Sequence, residues 1–134
     1  MARNFNVFIS HSWSYVDDLI NLRNLLMARQ YFSVDFQEAT PDIPINSDNA
    51  SYIRQRLKAR ILESNIVLGI AGVYATHSDW MTWELSTANS NGIPIVGVIP
   101  RGQERISSVV NGYSVENVYW NTESIVNAIR RNAI

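Results

Sequence analysis

Apolar and polar residues change their period along the chain, and the changes mark out elements. "FNVFIS", 5–10, is a short run of β-formers and predicts a strand. A helix follows over about 14–29, with Ser12 or Ser14 placed to cap it and Val16, Leu19, Ile20, Leu22, Leu26 and Met27 forming a broad apolar stripe. "YFSVDFQEA", 31–39, alternates with a period of two, which puts Phe32, Val34 and Phe36 on one side of a strand. The polar segment "TPDIPINSDN" is a loop. A second helix starts at Asn49 or Ser51 and runs through Glu63, with Ile53, Leu57, Ile61 and Leu62 facing inward.

The second half reads more strongly. "NIVLGIAG", 65–72, is continuously apolar, as a strand covered on both faces must be. "DWMTWELSTANSNG" opens the next helix, 78–91, and Asn91-Gly92 supplies its stop. "IPIVGVIP", 93–100, is a second buried strand. "RGQERISSVVNG" reads as a loop with one helical turn, "VENVYWN", 115–121, as a last strand, and Thr122 caps a final helix to about 131. Strands alternating with helices of this length imply right-handed crossovers and a mainly parallel sheet with helices on both faces. The expected fold class is therefore α/β, a flavodoxin-like sandwich whose central five-stranded parallel sheet has the order 2-1-3-4-5. Ligands in such sheets bind at the carboxyl ends of the strands, which directs attention to the loops after residues 10, 38, 72 and 100.

Composition narrows the classes. A chain of 134 residues predicts one domain, 1–134. The net charge of −1 gives no bulk attraction to nucleic acid or to an anionic membrane. There are no cysteines, which excludes disulfides, thiolate metal sites and a cysteine nucleophile. "MARNFNVFIS" lacks the apolar core of a secretion signal, and the longest apolar run, 66–75, is too short to span a bilayer. The expectation is a soluble, cytoplasmic protein.

Three segments carry candidate chemistry. "SHSW", Ser10 to Trp13, leaves the first strand and enters a helix N-terminus, where Ser10, His11 and Ser12 add donors to backbone N–H groups that favour anions. It has no glycine-rich fingerprint, so neither a dinucleotide Rossmann turn nor a P-loop is indicated. In the tryptophan helix, Met81, Leu85 and Ala88 centre the buried arc, and Glu84 lies about 60° from that centre with Trp80 on the same face. A carboxylate at a half-dry aromatic margin has reason to be perturbed; an acid favouring the helix dipole beside core-filling rings is the simpler account. Arg101 and Arg105 flank a glycine beyond the fourth strand and are either a pyrophosphate clamp or a solvated basic loop. His11 and His77 alone make no metal site, and Ser-His-Ser after the first strand replaces the acidic residues that a phospho-receiver domain needs.

Taken together, "VFISHSW" and "DWMTWELSTANSNGIPIVGVIP" resemble the first box and the tryptophan–glutamate segment of TIR domains, and "IPRGQERISSVV" resembles the bacterial TIR-like branch found in Thoeris antiphage systems. The resemblance runs from Phe5 to Ile129. It implies an enzyme that breaks the nicotinamide–ribose bond of NAD, with Glu84 catalytic and NAD as substrate rather than resident cofactor. It further implies that Phe8, Ser10, His11 and Trp13 line the nucleotide side of the cleft, with Trp80, Trp83, Arg101 and Arg105 as further substrate-binding candidates. The product would be ADP-ribose or a cyclic ADP-ribose-type messenger for a separate effector. The loop Pro41–Ser47 stands where TIR domains carry a mobile loop used to associate with other TIR-like subunits. Two other classes compete: a non-catalytic TIR-like interaction module, and a nucleoside deoxyribosyltransferase-like enzyme of related fold.

Overall fold

Short β-branched and aromatic runs form the strands, and the segments with a helical period between them form the helices. In chain order these are β1 (Asn4–Ser10), α1 (Val16–Met27), β2 (Ser33–Ala39), α2 (Ala50–Glu63), β3 (Ile66–Ile70), α3 (Asp79–Ser90), β4 (Ile95–Ile99), α4 (Ser108–Tyr113), β5 (Glu116–Tyr119) and α5 (Thr122–Asn132). The computed structural model describes residues 3–12, 16–41, 45–72, 75, 78–102 and 105–134. All four strand pairings are parallel, in the order β2-β1-β3-β4-β5. The expected α/β flavodoxin-like sheet is the one observed.

Chain direction determines the layers. β1 to β2 steps one way across the sheet and every later crossover steps the other way. Right-handedness therefore sends α1 to one face and α2, α3 and α4 to the opposite face. The two cores confirm this division. One gathers Leu19, Leu22 and Leu26 of α1 with Ile125, Val126 and Ile129 of α5 against Val7, Ile9, Leu68 and Val98. The other gathers Leu57 and Ile61 of α2, Met81 and Leu85 of α3 and Val110 of α4 against Phe8, Val67 and Ile95. Along β1, odd residues face the first core and even residues the second.

The apolar stripes are narrower than the sequence suggests. Ile20 and Met27 of α1 are 51% and 65% exposed, and Leu62 of α2 is 46% exposed. Each sits at the margin of its stripe, beyond reach of the sheet. β4 is also shorter than the apolar run that encodes it: it spans Ile95–Ile99, and the Pro94 carbonyl just before it accepts from the Val67 N–H at 2.9 Å. The segment after β4 holds a six-residue helix, α4, capped by the Ser107 side chain on the Val110 N–H. Asn121, not Thr122, caps α5: it is extended, and its side-chain oxygen accepts from the Ser124 N–H. Asn49 holds the N-cap position of α2 without a side-chain bond.

One irregularity matters for the site. Val7 pairs with Phe36, yet Ile9 pairs with Ala39, so β2 carries an extra residue between these rungs. Simple alternation from Phe36 would turn Thr40 toward α1. The extra residue reverses the phase and sets Thr40 beside Ser10 on the α3 side.

Candidate active site

α3 owes its placement to its ends and to its buried arc. The Ser78 side chain accepts from the Met81 N–H, Asp79 lies in the first turn, and Gly92 takes the positive φ of 74° just past the C-cap. Met81, Leu85 and Ala88 are wholly buried, as their spacing predicts. Glu84, expected at the margin of that arc, is also wholly buried. Its carboxylate reaches the carboxyl ends of β1 and β2, beside the β1/β3 boundary where the strand order reverses.

Two hydroxyls hold one oxygen of that carboxylate. Ser10 Oγ donates to Glu84 Oε1 at 2.7 Å, and Thr40 Oγ1 donates to the same atom at 2.7 Å. The His11 N–H donates to Thr40 Oγ1 at 2.9 Å. Thr40 has one proton, and because its oxygen already accepts from His11, that proton is committed to Glu84. The chain His11 N–H to Thr40 to Glu84 therefore has one direction. Ser10, His11, Thr40 and Glu84 are all buried, with Thr40 at 3% exposure. In such surroundings, hydrogen bonds to a carboxylate are stronger than in water.

The His11 side chain is tuned in the opposite sense from a surface imidazole. Burial, and then the positive charge of Arg23, lower its pKa to about 4. It is neutral at physiological pH. Arg23 lies over the Phe36 ring at 5.8 Å, on the α1 side of the sheet.

The other residues singled out from the sequence fall in several places. Phe8 is wholly buried in the core beneath Ser10. Trp80 is 5% exposed within the α2–α3–α4 core, and Trp83 is half-buried against it. Their rings meet edge to face at 5.8 Å and 88°. Arg101 lies across the sheet from Glu84, where it lines a cavity of about 260 Å³ with Asp18, Asn21, Leu25 and Trp120. Arg105 is exposed. Trp13, Ser14 and His77 lie outside the described residues, as do residues 42–44 of the loop Pro41–Ser47. Thr40 is the site residue that sequence reasoning misses. Its only signal is its position just past a strand, and alternation assigns it to the wrong face.

Among the described residues no group of three or more His, Asp or Glu side chains is arranged to hold a metal ion, and no helix is long and apolar enough to cross a membrane. The arrangement offers instead one dry, oriented carboxylate at a strand edge. It can stabilise a developing cation or accept hydrogen bonds from sugar hydroxyls.

Comparison with solved structures shows the same fold in a CMP N-glycosidase of Clostridium botulinum, BcmB. That protein is 13% identical to this chain, covers 93% of it at a TM-score of 0.57, and is itself covered over 98% of its length. A 3-dehydroquinate dehydratase-like protein from Bifidobacterium longum is more distant, at 10% identity and a TM-score of 0.47, with 96% of this chain and 94% of that one covered. No curated protein matches the sequence. The family model described as "Thoeris protein ThsB, TIR-like domain" matches residues 8–105, a span that contains Ser10, Thr40 and Glu84. The chain belongs to that ThsB TIR-like family.

Proposed function

We propose that the protein is an NAD-cleaving enzyme of Thoeris-type antiphage defence, and that Glu84 is its catalytic residue. The observation that carries this reading is the Glu84 carboxylate held by the Ser10 and Thr40 hydroxyls at the carboxyl ends of β1 and β2. Family membership supports it. The shared fold of a CMP N-glycosidase is compatible with chemistry at an anomeric carbon.

The chemistry asks little of the protein beyond this group. Nicotinamide leaves a cationic nucleotide as a neutral base, so its departure needs no proton. The bond from ribose C1 to the pyridinium nitrogen breaks, and its electron pair leaves with nicotinamide. Positive charge then spreads over C1 and the ring oxygen. An oriented carboxylate in a dry site stabilises that charge far better than solvent does. Attack on C1 by water gives ADP-ribose; attack by an atom of the substrate's own adenine or ribose gives a cyclic isomer. A water-poor site favours the internal acceptor, so the proposed product is a cyclic ADP-ribose-type messenger read by a separate effector.

The full burial of Glu84 favours a second reading, in which the carboxylate is a structural post in a non-catalytic TIR-like interaction module. Product analysis separates the two. Incubation with NAD carrying label in the adenine and in the nicotinamide, followed by mass spectrometry, should yield free nicotinamide and an adenine-containing product at the mass of NAD less nicotinamide. Intact NAD under every condition, including with extract of phage-infected cells, would support the interaction module.

A further inference from the structure

The opposite edge of the sheet carries a second, unassigned concavity. Arg3, Phe5, Tyr31, Phe32 and Arg130 line a cavity of about 330 Å³ at the amino ends of β1 and β2, a volume within the range of small-molecule sites. Phe5 and Phe32 stack at 5.6 Å, and each ring carries a guanidinium: Arg3 lies over Phe5 at 4.7 Å, and Arg130 over Phe32 at 5.5 Å. Two cations are thereby held around one opening on rigid aromatic supports. The Arg3 side chain also donates to the main-chain oxygen of Ile134, and Arg130 Nη2 donates to the Tyr31 carbonyl at 2.9 Å. A guanidinium has five N–H donors, so each of these bonds engages only part of the fork.

Tyr31 supplies an independent indication. Among the described residues it is the one non-glycine with positive φ, at 59°; the other two such positions are Gly92 and Gly102. A tyrosine there strains the backbone, and its side chain is 86% exposed, so it gains little packing in return. The strained turn, held by Arg130, presents a phenol ring at the mouth of a doubly cationic cavity. The Phe5 and Phe32 faces are taken by the guanidinium groups, which leaves Tyr31 as the ring open to stacking.

We infer that this cavity is a binding site for a free nucleoside monophosphate, with the base stacked on Tyr31 and the phosphate held by Arg3 and Arg130. A phosphate suits two convergent guanidinium groups, and a flat base suits an exposed aromatic face. Phe5 lies near the amino end of β1 and Ser10 at its carboxyl end, about 17 Å apart along the strand, so this site is separate from that of Glu84. It rests on its own geometry and not on NAD cleavage.

Calorimetric titration of the full chain with AMP tests the inference, beside adenosine and inorganic phosphate. The expected result is one micromolar site for AMP, with both fragments binding at least about tenfold more weakly. Arg3→Gln and Tyr31→Gly should each weaken AMP at least about tenfold, while Glu84→Gln leaves it unchanged. Tyr31→Gly should also raise the unfolding temperature, because glycine relieves the turn, so its loss of binding cannot be a loss of fold. Failure to bind AMP would overturn the proposal. So would AMP binding that survives Arg3→Gln and Tyr31→Gly, or that disappears in Glu84→Gln. Phosphate binding as tightly as AMP would overturn the stacking role of Tyr31.

Discussion

Ser10 and Glu84 are 74 positions apart in sequence, yet the Ser10 hydroxyl donates to the Glu84 carboxylate at 2.7 Å in a fully buried contact. The bond joins the end of the β1 strand to the second turn of α3, beside the β1/β3 boundary where the sheet reverses its strand order. It fixes one side of the carboxylate in a single orientation. Thr40 fixes the same oxygen from the neighbouring strand.

Thr40 is a positioning residue for Glu84. Thr40→Val keeps the shape but removes the donor to Glu84 and the acceptor for the His11 N–H. The expected cost is about 1–3 kcal/mol in stability. If Glu84 has the proposed catalytic role, NAD turnover should fall roughly tenfold to a hundredfold, through kcat more than KM, because the carboxylate is misplaced. Thr40→Ser retains the hydroxyl and should recover most of both. Equal kinetics for the Val and Ser variants would remove Thr40 from the account.

Acid should destabilise the fold through His11. Its pKa is about 4 in the native state, against about 6.5 when unfolded. The unfolded chain therefore takes up the proton first as pH falls. The stability linked to neutral His11 is fully present above about pH 6.5 and is lost progressively as pH drops toward about 4. Between pH 7 and pH 5 the loss should be on the order of 2 kcal/mol. Urea unfolding of the wild type and of His11→Gln at both pH values checks this, with a flatter pH dependence expected for the variant.

The face of the sheet beneath α4 leaves little space at Gly97. A Cβ there would stand 2.0 Å from Asn117 Oδ1 and 3.0 Å from Val110 Cγ1. Asn117 Oδ1 is not free to swing away, because it accepts from Ser114 Oγ at 2.9 Å. Gly97→Ala should destabilise by about 1–3 kcal/mol in denaturant titration. Gly69→Ala is the control: its nearest contact would be 3.4 Å, so it should cost less.

The two tryptophans should separate in their effects. Trp80→Ala empties a core position and should cost about 3–5 kcal/mol in denaturant unfolding. Trp83→Ala should cost less, since that ring is half-buried. If Trp83 stacks on nicotinamide, its loss will appear as a raised KM for NAD in a folded protein; an unchanged KM assigns it to packing alone.

Much of this was legible in the residues. α3 could be read from the Met81–Leu85–Ala88 spacing and the Asn91-Gly92 stop, because each reports a local requirement. β3 and β4 could be read because a strand covered on both faces must be apolar throughout. What escaped depends on non-local geometry. Thr40 joins the site only because β2 gains a residue between its Phe36 and Ala39 rungs, and no local pattern encodes that shift. The depth of Glu84 escaped for the same reason: its partners come from the end of β1 and the residue just past β2. Ile20, Met27 and Leu62 read as core because hydrophobicity says nothing of how far the opposing sheet extends.

NAD turnover by the wild type and by Glu84→Gln, each shown by circular dichroism to be folded, tests the central claim most directly. Glutamine keeps an acceptor for Ser10 and Thr40 but carries no negative charge for the forming ribosyl cation. The account predicts nicotinamide release by the wild type and a loss of at least about a hundredfold in the variant. Equal release by the two folded proteins would contradict it.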